Sequence, residues 1–203
     1  EEIYPPIRKC DKVKILVKYE QSGKTRIILS GAVKHTGAGP NVLSIIICDN
    51  NLLLTTATAL RAGCESDKGL KQGSIKSTAN GQHEWKDFTG ELDRATDKRS
   101  RITCDRAIRE GRINTLVVCG HKRRFENVCE IIDAFSPEEF AFNVYIDEAD
   151  KVLKSSERIC MVQSWQENPR VKSVELITAT PISPQKDWKK IGWLGRHFGA
   201  EIV

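Results

Sequence analysis

The 203-residue sequence has no C-x-x-C pair. Its seven cysteines, at 10, 48, 64, 104, 119, 129 and 160, are scattered and odd in number. That pattern argues against a zinc site and suits free thiols in a reducing compartment. No signal-peptide pattern and no apolar run of membrane-spanning length occurs, so an intracellular setting, cytoplasm or nucleus, is expected and no membrane partner. Internal repeats and low-complexity tracts are also missing, which excludes repeat arrays. Charge of one sign is not in large excess. The net charge of +5 suits a nucleic-acid-binding enzyme without demanding one. The length allows one sizeable core and one large domain.

What is there is organised around Phe140–Lys151, F-A-F-N-V-Y-I-D-E-A-D-K. Phe140, Ala141, Phe142, Val144, Tyr145 and Ile146 form an apolar run broken only by Asn143, the length and composition of a strand buried on both faces. Asp147, Glu148 and Asp150 follow at once. Carboxylates at the mouth of a buried strand are costly unless paired or holding a cation. The carboxyl edge of an open α/β sheet is where ligands sit. The arrangement suits Mg²⁺-assisted nucleotide hydrolysis, with one carboxylate on the metal and its neighbour on the attacking water. Alone, the same letters also fit a strand followed by an acidic helix start.

A second stretch lies near the amino terminus. Val13, Ile15 and Val17 alternate with lysines and read as a strand, followed by Glu20-Gln21-Ser22-Gly23-Lys24-Thr25 and a helical run from Arg26 to Val33. Strand, loop with G-K-T, helix is the context of a phosphate-binding loop. Gln21, Ser22, Gly23, Lys24, Thr25 and Arg26 would line the phosphates, Lys24 reaching the β/γ oxygens and the Thr25 hydroxyl helping to hold Mg²⁺. The usual first glycine is Lys18 here, and another glycine position is Gln21, so the pattern is incomplete.

The third stretch is Val174-Glu175-Leu176-Ile177, strand-like, leading into Thr178-Ala179-Thr180-Pro181. Phosphate loop, D-E-A-D and T-A-T-P in this order resemble motifs I, II and III in the first ATPase domain of superfamily 2 helicases and translocases, over about residues 12–184. The resemblance implies a RecA-like domain that binds ATP and Mg²⁺, with Thr178 and Thr180 bonded to Asp150 to couple the nucleotide site to DNA or RNA. It places Asn50 and Asn51 in motif Ia and Lys122, Arg123 and Arg124 in motif Ib, both gripping the nucleic-acid backbone. It also implies that residues 185–203 begin a crossover towards a second RecA-like domain, the source of the family's arginine fingers. No glutamine precedes Gln21, which departs from the adenine-reading glutamine of the DEAD-box branch and leaves base selectivity open.

The remaining chain fits the same plan. Pro5-Pro6 keep a lead-in, 1–11, extended. The helix after Thr25 is expected to stop near His35 before Gly37 and Gly39-Pro40. Val42–Cys48 reads as a buried strand and Leu52–Ala62 as a helix capped by Asp49 or Asn50. Cys48 and Cys119 sit in apolar runs and read as core residues. From Gly63 to Ser100 the pattern is weak, with Ile75 and Trp85–Phe88 as short strands or a cover, and Trp85 packing on the core or stacking on a base. Arg99–Gly111 reads as a helix with Ile102 and Ile108 on its apolar side, and Ile113–Gly120 as a strand. His121-Lys122-Arg123-Arg124 then face the helical run Phe125–Phe135. Cations there oppose the helix dipole, which a polyanion would resolve; solvation of a surface charge run is the plain alternative. Ser136-Pro137-Glu138-Glu139 reads as one capped turn, and Val152–Trp165 as one or two helices.

Five buried strands, 12–19, 42–48, 113–119, 140–146 and 173–178, separated mostly by helices, predict an α/β fold with a doubly wound, mostly parallel sheet flanked by helices. The function expected is an ATP-dependent helicase or translocase motor domain: Lys24 and Thr25 on phosphates and Mg²⁺, Asp147 on the metal, Glu148 on the water. Lys18, Glu20 and Gln21 keep open a degenerate domain that binds nucleic acid or nucleotide without efficient turnover, since Glu20 sets a negative charge beside a polyphosphate. A different phosphate-loop enzyme, such as a kinase, is disfavoured by D-E-A-D and T-A-T-P.

Overall fold

The computed structural model describes residues 11–18, 23–75, 88–89, 101–179 and 186–203. In chain order these residues form β1 (Val13–Lys18), α1 (Lys24–Thr36), β2 (Val42–Cys48), α2 (Leu52–Gly63), a short 3₁₀ turn (Ser66–Lys68), β3 (Gln72–Ile75), β4 (Phe88–Thr89) and α3 (Arg101–Arg109). There follow β5 (Thr115–Cys119), α4 (Lys122–Asp133), β6 (Ala141–Ile146), α5 (Ala149–Val152), α6 (Ser156–Glu167), β7 (Val171–Ala179), α7 (Lys186–Phe198) and β8 (Glu201–Ile202). One sheet holds all eight strands in the order β4-β3-β5-β2-β6-β7-β1-β8. Seven run parallel, and β4 closes one edge antiparallel to β3.

The five strands legible as apolar runs are the central ones, which are covered on both faces. Ile45, Ile46 and Ile47 of β2 are fully buried in succession, so adjacent side chains must enter opposite cores. One core collects Leu43, Ile45 and Ile47 under α3, α4, α5, α6 and α7, including the stacked Phe125–Trp165 pair that joins α4 to α6. The smaller core collects Ile46, Val117, Tyr145 and Ile177 under Ile28, Leu29 and Ala32 of α1 and Ala59 and Ala62 of α2. Helices on both faces of a parallel sheet are the doubly wound arrangement that the strand pattern predicts.

Several local expectations are corrected. Asn51, not Asp49 or Asn50, caps α2; its side chain accepts from the Leu53 and Leu54 amides. Ile102 is 73% exposed, because six residues turn a helix onto a different face from Ile108; the stripe of α3 that packs is Cys104, Ala107 and Ile108. α4 begins at Lys122 rather than Phe125, so the cations occupy its first turn. Ser136 and Glu139 do form reciprocal side-chain to backbone bonds, but in a turn rather than a helix. Ile75 ends β3 and Phe88 begins β4, whereas Trp85 lies outside the described residues. Within the 185–203 segment expected to begin a crossover, the described residues form α7 and β8, and β8 joins this same sheet with Lys14 opposite Glu201 and Ile15 opposite Ile202.

Two glycines let the two halves of the site approach. A Cβ on Gly31 would lie 2.9 Å from the Tyr145 hydroxyl, so α1 rests directly on the ring of β6. His35 Nδ1 and Tyr145 Oη share a hydrogen bond of 2.5 Å one turn further on. At the end of β5, a Cβ on Gly120 would lie 2.3 Å from the Cys48 carbonyl oxygen, which is backbone and cannot swing away. Gly120→Ala is expected to destabilise the fold by about 3 kcal/mol, the upper part of the overpacking range. Urea denaturation of both proteins checks this, with an unchanged midpoint as the contrary result.

Candidate functional site

β1 and β6 both end at the carboxyl edge of the sheet, separated by β7. From β1 the chain enters α1 through Gly23, whose φ of 78° is open to glycine and strained for other residues. Among the described residues no side chain caps α1, and its first turn holds no acidic residue, which leaves its first amides open to an anion. β6 runs straight into Asp147 and Glu148. Asp147 keeps the ladder by donating its amide to the Ile47 carbonyl (2.8 Å). Glu148 then takes φ 50°, the one positive φ at a non-glycine among the described residues. Such strain concentrates where a side chain must be aimed.

Its carboxylate is aimed at α1. Lys24 Nζ forms an ion pair with Glu148 Oε1, and both side chains are largely buried. Lys151 Nζ lies 3.3 Å from Oε2. Behind them, the Asp147 carboxyl is held above the usual carboxylate range, first because burial penalises its charge, with the neighbouring Glu148 adding to the rise and Lys24 opposing it. Thr178, at the end of β7, donates its hydroxyl to Asp150 Oδ1 at 2.6 Å. Thr25 Oγ1 accepts from Arg61 Nη1 at 3.4 Å. The structure thus brings together Lys24, Thr25, Asp147, Glu148, Asp150 and Thr178. Gln21, Ser22 and Thr180 lie outside the described residues.

No group of three or more His, Cys, Asp or Glu side chains among the described residues is arranged to hold a metal. One half-buried carboxylate, Asp147, and one hydroxyl at the start of α1, Thr25, fit Mg²⁺, which keeps several waters and takes few ligands from the protein. The raised Asp147 carboxyl adds to the fit, because a cation would offset the burial that raises it.

The residues expected to meet nucleic acid behave differently from one another. Asn50 and Asn51 are exposed at the start of α2. The Asn51 oxygen is engaged in the cap, and the Asn50 oxygen accepts from Cys119 Sγ (3.6 Å). Their amide NH₂ groups remain as donors. Gly120 sets the α4 entrance against this turn. There the His121 side chain accepts from the Arg123 amide, Lys122 pairs with Glu157 across α6 (2.9 Å), and Arg123 pairs with Glu126. Arg124 is a correction to the expectation: it is 3% exposed and bonds Asn127 Oδ1 (2.9 Å), so it is a core contact rather than a surface one. Carboxylates within the chain balance the two outer cations, which removes part of the electrostatic oddity seen in the sequence.

Arg61 and Lys151 were not legible as site residues. An arginine in the last turn of a helix reads as a partner for the dipole, and a lysine after D-E-A-D as a solvated charge.

The structure is similar to that of the UvsW helicase from bacteriophage T4, with a TM-score of 0.53 and 14% identity, over 95% of this chain and 54% of that one. It is similar to the Hef helicase domain of Pyrococcus furiosus, with a TM-score of 0.54 and 15% identity, over 96% of this chain and 35% of that one. The fold is that of helicase RecA-like domains. The chain spans about half the length of the first of these and about a third of the second. No protein-family model and no curated protein matches the sequence. No helix among the described residues is long and apolar enough to cross a membrane.

Asp147 also sets a stability test. Because burial raises its carboxyl, its contribution is full below the ordinary carboxylate value of about 4 and is lost as pH rises through the raised one. Asp147→Asn keeps the oxygen that accepts the Glu148 amide and removes the buried charge. Without nucleotide, this variant is expected to melt higher than wild type at pH 7. The gap should close as pH falls towards 4. A variant that melts lower at pH 7, or a gap independent of pH, is the contrary result.

Proposed function

We propose that this chain is the first motor domain of a superfamily 2 helicase or translocase, hydrolysing ATP with Mg²⁺ while gripping DNA or RNA. The observation that carries the reading is the Lys24–Glu148 ion pair, because it sets the G-K-T helix start against the D-E pair of another strand. The Thr178–Asp150 bond supports it, since it ties the T-A-T-P strand to the same acidic turn.

Mg²⁺, when bound, would neutralise charge on the β/γ-phosphates. Asp147 and Thr25 are the residues to hold it. Lys24 must exchange the Glu148 carboxylate for phosphate oxygens when nucleotide enters, which frees Glu148. Glu148 then orients and deprotonates the attacking water, its direction set by the left-handed backbone. Asp150 and Thr178 carry changes at this turn to β7. On the nucleic-acid side, Asn50, Asn51, Lys122 and Arg123 supply donors to the backbone. Completion of the reaction calls for a second RecA-like domain to contribute arginine fingers.

The second reading, a degenerate domain that binds nucleotide or nucleic acid without efficient turnover, is favoured by Glu20, Gln21 and Lys18 in the loop sequence. Turnover separates the two. With the second motor domain supplied and nucleic acid present, wild type is expected to hydrolyse ATP. Glu148→Gln should bind ATP at least as well, because Lys24 loses its competing carboxylate, and should turn over about 10²–10⁴-fold more slowly, the loss of a general base. A wild type without nucleic-acid-stimulated hydrolysis leaves the degenerate reading. A fully active Glu148→Gln moves the base elsewhere.

The nucleic-acid grip has its own test. Charge reversal at Lys122 and Arg123 together should weaken binding to all sequences and lower the slope of log K against log salt by about 1.4–1.8, two phosphate contacts' worth. An unchanged slope returns both residues to their partners Glu157 and Glu126.

A further inference from the structure

Arg61 has no place in the machinery above, yet it is the side chain that reaches Thr25. It stands in the last turn of α2, exposed, with Nη1 at 3.4 Å from Thr25 Oγ1. A cation at that position suits the dipole of α2, but the dipole sets no direction for the guanidinium. The contact with Thr25 does. It carries the charge across from one helix to the first turn of another, next to amides that no side chain caps.

Two features make this contact provisional. A hydroxyl that accepts from a guanidinium is a poor partner for a divalent cation on the same side, since the two positive charges repel at close range. A neutral hydroxyl also leaves most of the five-donor fork unused. A polyphosphate answers both: it offers several anionic oxygens to the fork and draws the cation away from Thr25 Oγ1. Arg26 follows Thr25 on α1 and lies close enough to Lys68 to oppose its charge, while Lys68 pairs with Glu65 at 2.5 Å. Of these cations, Arg61 is the one seen in contact with the G-K-T segment from outside α1.

We propose that Arg61 is a phosphate-binding residue of the nucleotide site, its guanidinium moving from the Thr25 hydroxyl to non-bridging phosphate oxygens when the nucleotide binds. This rests on the nucleotide-binding reading of Lys24 and Thr25. It also gives α2 a second role. The helix begins at Asn51 beside the expected nucleic-acid contacts and ends at the phosphates, so one rigid rod of about 18 Å joins both.

Calorimetry on the full chain tests it, with ATP and with inorganic tripolyphosphate, each with Mg²⁺ and in EDTA. Wild type is expected to bind both. Arg61→Ala should weaken both by about tenfold to a hundredfold, the loss of a hydrogen bond to a charged group. The loss should persist in EDTA, because Arg61 acts on the phosphate itself and not through the metal. Arg61→Lys, which keeps the charge and loses the fork, should fall between wild type and alanine. Thermal melting of Arg61→Ala and Arg61→Lys without ligand should match wild type, since the Arg61 side chain is exposed. If Arg61→Ala and Arg61→Lys bind tripolyphosphate in EDTA as wild type does, Arg61 does not touch phosphate and the proposal is overturned. If Arg61→Ala weakens ATP only when Mg²⁺ is present, Arg61 merely positions Thr25, which also overturns it. A wild type that binds neither ligand overturns the nucleotide reading itself, a result distinct from either of these.

Discussion

The ion pair between Lys24 and Glu148 joins residues 124 apart in sequence, and the rest of the site depends on it. Neither partner reaches the other unless α1 lies close over β6 and the chain bends sharply after Ile146. The first condition is met by Gly31, which leaves room for the Tyr145 ring, and by the His35–Tyr145 hydrogen bond. The second is met by the left-handed backbone of Glu148. A largely buried ion pair is rarely a source of net stability, since desolvation offsets attraction. Its value here is positional. It holds a lysine and a carboxylate in register across two elements of the fold.

The same emphasis on position explains the two cores. The larger one packs five helices against one face and carries most of the burial, so it can tolerate weak spots elsewhere. The smaller core lies under α1 and α2, the helices whose ends carry the candidate phosphate and nucleic-acid contacts. Polar residues enter this face towards the amino ends of the strands: Thr115, Ser44, Asn143 and Ser173 lie side by side across β5, β2, β6 and β7. Ser173 donates to Asn143 Oδ1 at 2.8 Å. Apolar contact with α1 and α2 therefore lies towards the middle and carboxyl ends of these strands, from Ile46 and Val117 to Cys48.

Much of this was legible in the sequence, for a physical reason. A strand covered on both faces must be apolar throughout, so β2, β5 and β6 announce themselves and their carboxyl ends mark the ligand edge. The G-K-T, D-E-A-D and T-A-T-P segments could be placed there without a structure, as could the partnership of Asp150 and Thr178. Short edge strands do not announce themselves. β3 has four residues and β4 two, too few to show a period, and β8 follows a helix directly. Side-chain partnerships across the surface were equally hidden. Nothing in the letters K-R-R distinguishes Arg124, which turns inward to Asn127, from Lys122, which turns outward to Glu157. Arg61 needed the crossing of two helices to acquire a meaning.

The strand order has a consequence for how the chain is made. β1 leads towards the G-K-T segment, and its neighbours in the sheet are β7 and β8, whose residues pair with Val13 onward only from Val174 and Glu201. On a ribosome adding about 5–20 residues each second, β1 waits on the order of ten seconds for the first of them. Through that interval β2, β5 and β6 can already pair, while Val13 and Ile15 stay without their permanent cover. The cluster around Lys24 and Glu148 therefore closes only after β7 has been made, and the apolar side chains of β1 wait uncovered until then.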